Sequence, residues 1–245
     1  MSTYDHAVPR RLPRGWAHLA FQFALWIGFY FAYQAARGLA DNGGVEQAFA
    51  NGQWIIDFQR GLGSMFELSL QRAVEGSGFL IQATSITYWL SQFAVVGLVL
   101  VWVYFKAHQR FYGLRNMLIV GNLIGLLGYV LLPTAPPRMF PQAGFTDTLA
   151  AHSTVNHSST FVAFSSNPYA AMPSLHALDA LIVSGVMATV VRARWAKLLW
   201  LAWAPWVWFA VMGTGNHFWL DVVAGIAVAA VAWAIVYRPW KRQPA

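Results

Sequence analysis

Long intervals without a formal charge constrain this chain more than any other feature. Residues 15–36, 76–105 and 116–137 hold no Asp, Glu, Lys or Arg. Three further apolar stretches follow at 173–191, 198–216 and 218–237, the first and last interrupted by one acid each, Asp179 and Asp221. A transmembrane helix needs about 20 mostly apolar residues. The sequence therefore predicts an all-α polytopic membrane protein, a six-helix bundle, with the break between the last two spans resting on the glycines of Gly213-Thr-Gly-Asn216. Composition agrees: 58% of the residues are hydrophobic and 10% charged, against about 25% charged in an ordinary soluble domain. No repeat or linker divides the chain, so residues 1–245 read as a single integral membrane domain. The first span follows Arg10, Arg11 and Arg14 in the manner of a secretory signal. Its apolar run exceeds the roughly 7–15 residues of a signal core, and no small-residue cleavage site follows, so it is read as a retained helix.

The net charge of +7 comes from 16 basic and 9 acidic residues and calls for a location. With the first segment inside and six spans alternating, twelve basic residues fall on the cytoplasmic side. They are Arg10, Arg11, Arg14, Lys106, Arg110, Arg115, Arg192, Arg194, Lys197, Arg238, Lys241 and Arg242, whereas Arg37, Arg60, Arg72 and Arg138 fall outside. This positive-inside pattern predicts a cell-membrane protein with both termini cytoplasmic. Basic residues that flank spans form no groove or stripe for nucleic acid, which is excluded as a partner on that ground. Cysteine is absent, which removes disulfides, thiolate catalysis and thiolate-bound metals.

Two segments are not predicted as spans. Trp54, Ile55, Phe58, Leu62, Met65, Phe66 and Ser69 recur at helical spacing with Asp57, Arg60 and Glu67 on the other side. Two readings stay open for this amphipathic helix: it lies on the outer membrane surface, or it packs against the bundle. Residues 138–172 form a long external loop before the fourth span, charged only at Arg138 and Asp147 and carrying His152, Asn156 and His157. Loops this long are often binding elements or lids. Gly121, Gly125 and Gly128 recur at helical spacing and predict close helix packing.

The predicted orientation gathers the unusual polar residues at one face. The third span ends at Pro133-Thr-Ala-Pro-Pro-Arg138, the fourth begins at Met172-Pro-Ser-Leu-His176 and the sixth at Asn216-His-Phe-Trp-Leu-Asp221. His217 and Asp221 are four residues apart and would share a helix face. A carboxylate there fixes the imidazole tautomer and leaves the second nitrogen as a nucleophile. The competing reading is a buried polar pair tying two helices together. Ser174 and the helix N-terminus beside His176 favour an anion, and Arg138 supplies a forked cation suited to phosphate oxygens. Singly, Ser174 reads equally well as an N-cap, Arg138 as an interfacial anchor and His176 as an interfacial histidine. Asp179, three residues after His176, reads either as its partner or as an interhelical hydrogen-bond acceptor.

Pro-Ser-Leu-His at 173–176 and His-Phe-Trp-Leu-Asp at 217–221, followed by Val-Val-Ala-Gly, resemble the second and third motifs of the type 2 phosphatidic acid phosphatase superfamily. Ala-Pro-Pro-Arg at 135–138 is similar to the first-motif region of the branch that includes inositol phosphorylceramide synthases. By motif order the resemblance spans about residues 115–237. It implies a six-helix core and a lipid phosphatase or phosphotransferase acting on a lipid-linked phosphoester at the extracytoplasmic face. It also implies that His217 attacks phosphorus and becomes a phospho-histidine, that Asp221 orients it, and that His176 protonates the leaving oxygen and then activates water or an acceptor hydroxyl. Arg138 and Ser174 would bind phosphate oxygens, with no metal and no cofactor.

Three departures bear on the substrate. Leu131 stands where the phosphatases carry a lysine, Leu175 replaces a common glycine, and no basic residue precedes His217 between Ala210 and Asn216. Arg115 is 23 residues from Arg138, roughly 25 Å or more along a helix, and does not substitute. Fewer phosphate-binding cations favour the synthase-like alternative, in which a phospho-headgroup passes from a phospholipid to an acceptor hydroxyl. His152, Asn156 or His157 are candidates to complete the pocket. A haem- or metal-binding bundle on His176 and His217, and a lipid transporter without chemistry, are the competing functional classes.

Overall fold

The computed structural model describes residues 13–39, 44–152 and 168–237. Among these residues, regular structure is helical apart from one isolated parallel bridge, Thr134 with Ala170. Helix α1 spans Gly15–Leu39, α2 Val45–Gly61 and α3 Glu67–Glu75. Helices α4 (Gly78–Leu90) and α5 (Val96–Lys106) run on from one another through a π-helical turn at Ser91–Val95. Next come α6 (His108–Leu131) and the short α7 (Thr148–His152), followed by α8 (Leu175–Val190), α9 (Arg194–Gly213) and α10 (Trp219–Tyr237).

Four helical stretches are long and apolar enough to cross a membrane: Gly78–Lys106, His108–Leu131, Arg194–Gly213 and Trp219–Tyr237. They mark an integral membrane protein. The other two predicted spans are also helices. One, α1, has 25 residues but carries His18, Gln22 and Gln34, and the other, α8, has 16 residues and is apolar. Apolar side chains point outward along these helices, as at Leu98, Leu131, Leu198 and Trp233. The third span differs most from expectation, beginning at His108 and ending at Leu131. Pro133, Pro136 and Pro137 lack main-chain N–H groups and end the helix early, which leaves Arg138 in a separate short 3-10 turn, Pro137–Met139.

The amphipathic segment is two helices, α2 and α3, separated near Gly63, whose φ is +63°. Ile55 is buried against Phe140 and Ala135, while Trp54, Phe58, Leu62 and Phe66 form an exposed apolar surface. The outward surface of α2 thus mixes Trp54 and Phe58 with Asp57 and Arg60, while Ile55 and Ile56 serve the bundle. Glu67, expected on the polar side, is fully buried.

Helix α8 lies at the centre, packed against α6, α9 and α10. The glycine series of α6 makes this possible. A Cβ on Gly125 would collide with Leu175 Cδ2, and one on Gly128 would come within 2.5 Å of Pro173 Cδ. Leu175, the residue in place of the motif glycine, fills the groove at Gly125. The stripe predicted for close packing therefore seats α8, and with it Ser174 and His176, on α6. Inside this contact the Asn122 side-chain N–H donates to Asp179 Oδ1 at 2.8 Å, an interhelical bond from α6 to α8.

Candidate active site

Main-chain hydrogen bonds join the three loops that carry the predicted residues. The Thr134 N–H donates to the Tyr169 carbonyl at 2.8 Å, and the Ala171 N–H to the Thr134 carbonyl at 3.2 Å. The Arg138 N–H donates to the Gly215 carbonyl at 2.8 Å, and the Ser174 N–H to the Asp221 carbonyl at 2.9 Å. Each motif is thereby tied to the other two. Gly215 adopts φ +71°, and a Cβ there would stand 2.8 Å from the Thr146 carbonyl oxygen, so the turn before His217 requires glycine.

His217 lies in that turn, two residues before α10 begins. The expectation of a shared helix face is met only in part: Asp221 is in the first turn of α10, and the chain folds back to bring the histidine over it. His217 Nδ1 stands 2.9 Å from the Ala171 carbonyl oxygen and 3.5 Å from Asp221 Oδ2. A carbonyl only accepts, so Nδ1 carries the hydrogen and Nε2 holds the lone pair. Asp221 is fully buried, and its Oδ2 also accepts the Phe218 N–H at 2.8 Å. The acid thus holds the local turn as well as the imidazole.

The His176 and His217 ring centroids are 5.8 Å apart, and the His176 ring stacks on Tyr88 at 4.5 Å. Its Nε2 lies 3.2 Å from the Tyr88 carbonyl oxygen. Arg138 donates through Nη1 to Asn216 Oδ1 at 2.8 Å, and its Nε is 3.5 Å from Asp147 Oδ2. A cavity of about 90 Å³ is walled by Arg138, His176, His217, Asn216, Tyr88, Tyr129 and Gln92. Gln92 belongs to the π-helical turn, a distortion that re-aims side chains and recurs at functional sites.

Ser174 is not on that wall. It is fully buried as the N-cap of α8, where its Oγ accepts the Ala177 N–H at 3.3 Å. Asp179 bonds to Asn122 rather than extending the cavity. The side chain of His152 and all of Asn156 and His157 lie outside the described residues. Among the described residues no three His, Asp or Glu side chains gather as a metal site.

Sequence reasoning missed Asn216, Tyr88, Gln92 and Glu67. Asn216 was legible as the polar residue opening the third cluster, but its partner was not. Glu67 Oε1 accepts the Gln59 side-chain N–H and the Trp219 N–H, each at 2.8 Å, so this acid caps the start of α10 just beyond His217. Burial pushes the Glu67 carboxyl above its ordinary range, the hydrogen bonds from Trp219 and Gln59 pull it back, and the Asp221 charge adds to the rise. No local pattern announces this residue, because its burial follows from packing α3 against α9, which brings Glu67 to the start of α10.

Among known proteins, the chain is similar to the phosphoinositol dihydroceramide synthase of Bacteroides thetaiotaomicron, 32% identical over 146 residues. That match covers 54% of this chain and 47% of the synthase, so the chain spans about half the length of the curated relative. No solved structure matches it. The family model of the PAP2 superfamily matches residues 53–235, which include both histidines, Arg138 and Asp221. The chain belongs to the PAP2 superfamily.

Proposed function

We propose that the chain is a membrane-embedded phosphotransferase that moves a phospho-headgroup from a phospholipid to an acceptor hydroxyl through a phospho-histidine on His217. The observation that carries this reading is the placement of His217 Nδ1 against the Ala171 carbonyl and Asp221, which leaves Nε2 as the nucleophile on a cavity shared with His176 and Arg138.

In the first step Nε2 attacks phosphorus, a P–N bond forms, and the P–O bond to the lipid alkoxide breaks. Protonated His176 gives that oxygen its proton. Asp221 stabilises the positive charge that develops on the His217 ring. In the second step the acceptor hydroxyl attacks phosphorus, its proton passes to His176, and the P–N bond breaks. Arg138, aimed by Asn216 and Asp147, holds the non-bridging oxygens. Phosphoryl transfer depends chiefly on such positioning and charge stabilisation. Ser174 supports the step by capping the helix that presents His176.

Transfer is favoured over hydrolysis by the charge of the cavity. Among its described lining residues Arg138 is the only permanent cation, which suits a singly charged phosphodiester better than a doubly charged monoester. The similarity to a synthase agrees with this. Hydrolysis of a lipid-linked monoester is the second reading, favoured by the superfamily as a whole. The positive-inside distribution supports six spans, cytoplasmic termini and an extracytoplasmic site in the cell membrane, with α1 and α8 as the two additional spans.

Rapid quenching with phosphatidylinositol, followed by peptide mass analysis, tests the chemistry. An acid-labile adduct on His217 that retains the headgroup supports transfer, and bare phosphate on the same residue from a monoester lipid supports hydrolysis. Turnover by His217→Ala at the wild-type rate would sink both readings.

A further inference from the structure

At the end of the bundle away from His217, the start of α1 meets the junction of α5 and α6. Arg14 and Arg115 converge there on a single ring, their guanidinium carbons 5.2 Å and 5.0 Å from the Tyr112 centroid. Arg14 Nη1 donates to the Tyr112 hydroxyl at 2.8 Å, and Arg115 Nη1 to Gln22 Oε1 at 2.8 Å. Neither guanidinium has a carboxylate within 4.0 Å among the described residues. The sequence explains why: residues 6–40 and 76–146, which build α1, α5 and α6, contain no Asp or Glu. Two cations thus share one ring, and the helices around them supply no counter-charge.

Beside them a cleft of about 160 Å³ opens between α1 and the α5–α6 pair. Its walls include Phe23, Trp26, Leu98 and Val101, and Gln22 and Arg115 stand on the same wall. Phe23 and Leu98 are exposed, so the cleft faces outward from the bundle rather than into it.

We propose that this cleft binds an anionic phospholipid, with an acyl chain along the apolar wall and the phosphate on Arg115 and Arg14. Charge complementarity carries the choice of occupant. An anion must come from outside the three helices, forked guanidinium groups match phosphate oxygens, and the adjoining apolar wall suits a chain attached to that phosphate. Basic residues at a membrane surface favour anionic lipid. The inference is independent of the chemistry at His217, because the two sites share no residue.

The test uses the purified, delipidated full chain in detergent, titrated with phosphatidylglycerol, phosphatidylcholine and glycerol 3-phosphate and read by native mass spectrometry. Phosphatidylglycerol is expected to bind about tenfold more tightly than phosphatidylcholine. In Arg115→Gln that preference should fall below about threefold. Should this variant fail to fold, Arg14→Gln, exposed at the start of α1, is expected to lower the same preference. Gly97→Leu fills the cleft from a position where an added Cβ meets nothing within 4 Å, and should remove the tight site with both arginines in place. Equal affinity for the two lipids overturns the proposal, as does a preference that survives these variants. Glycerol 3-phosphate binding as tightly as phosphatidylglycerol would overturn it too, by showing a headgroup site with no use for the cleft.

Discussion

His217 and His18 sit at opposite ends of the bundle in clusters of similar composition. Each has a second histidine about 6 Å away, His176 at 5.8 Å and His108 at 6.1 Å between ring centroids. Each cluster contains tyrosine and arginine. The hydrogen bonds separate them. Both ring nitrogens of His18 are occupied, Nδ1 by the Tyr104 hydroxyl and Nε2 by the Tyr112 hydroxyl, each at 2.8 Å. In His217 a carbonyl and a carboxylate share Nδ1, and the ring lines the cavity. The arginines differ in the reverse sense: Arg138 has Asp147 beside it, whereas Arg14 and Arg115 have no carboxylate among the described residues. Chemistry needs a histidine nitrogen left available and a cation held still. Residue type alone does not provide either.

The largest test of this contrast exchanges the two histidines' fates. His217→Ala should lower turnover by ~10³ or more, as expected for a nucleophile, while His18→Ala should stay within about threefold of wild type. Initial rates of headgroup transfer measure both, and comparable losses would erase the distinction between the ends. A smaller effect is expected where the cation is aimed. Arg138→Ala should cost about 10² in kcat, and Asn216→Ala, which leaves the guanidinium but removes its support, about tenfold. Equal losses from the two would mean that Asn216 does more than position Arg138.

The smallest effect concerns stability. The folded-state pKa of Glu67 is raised, chiefly by burial, so its contribution is fully favourable below the unfolded value of about 4.3. That contribution is lost as pH rises through the folded value. Glu67→Gln keeps an acceptor for the Trp219 N–H and cannot ionise. Its Tm relative to wild type should therefore rise as pH increases through that window, measured by thermal unfolding in detergent. A constant difference across pH would show that Glu67 is not the group titrating there.

Much of the architecture was readable from the chain because lipid-facing helices require uninterrupted apolar length. The charge-free intervals located the helices to within a few residues at most ends. The third span was the exception, where the prolines before Arg138 ended the helix early. The clustering of Arg138, His176 and His217 was also legible, since the expected alternation of spans would carry their three motifs to one end. Asp221 was foreseen as the partner of His217, yet spacing on an ideal helix did not anticipate that the histidine precedes the helix and leans mainly on the Ala171 carbonyl.

The sequence by itself determined that this is an integral membrane protein with motif residues at one end, because apolar length and charge placement act locally along the chain. It equally determined that α1, α5 and α6 carry no acid to neutralise their arginines. Tertiary structure alone decided that Ser174 is a cap away from the cavity, that Tyr88 and Gln92 line it, and that Glu67 supports the start of α10. These assignments depend on contacts between residues as far as 152 positions apart. Helical periodicity reports which face a residue occupies, but not which distant main-chain N–H or carbonyl will meet it there.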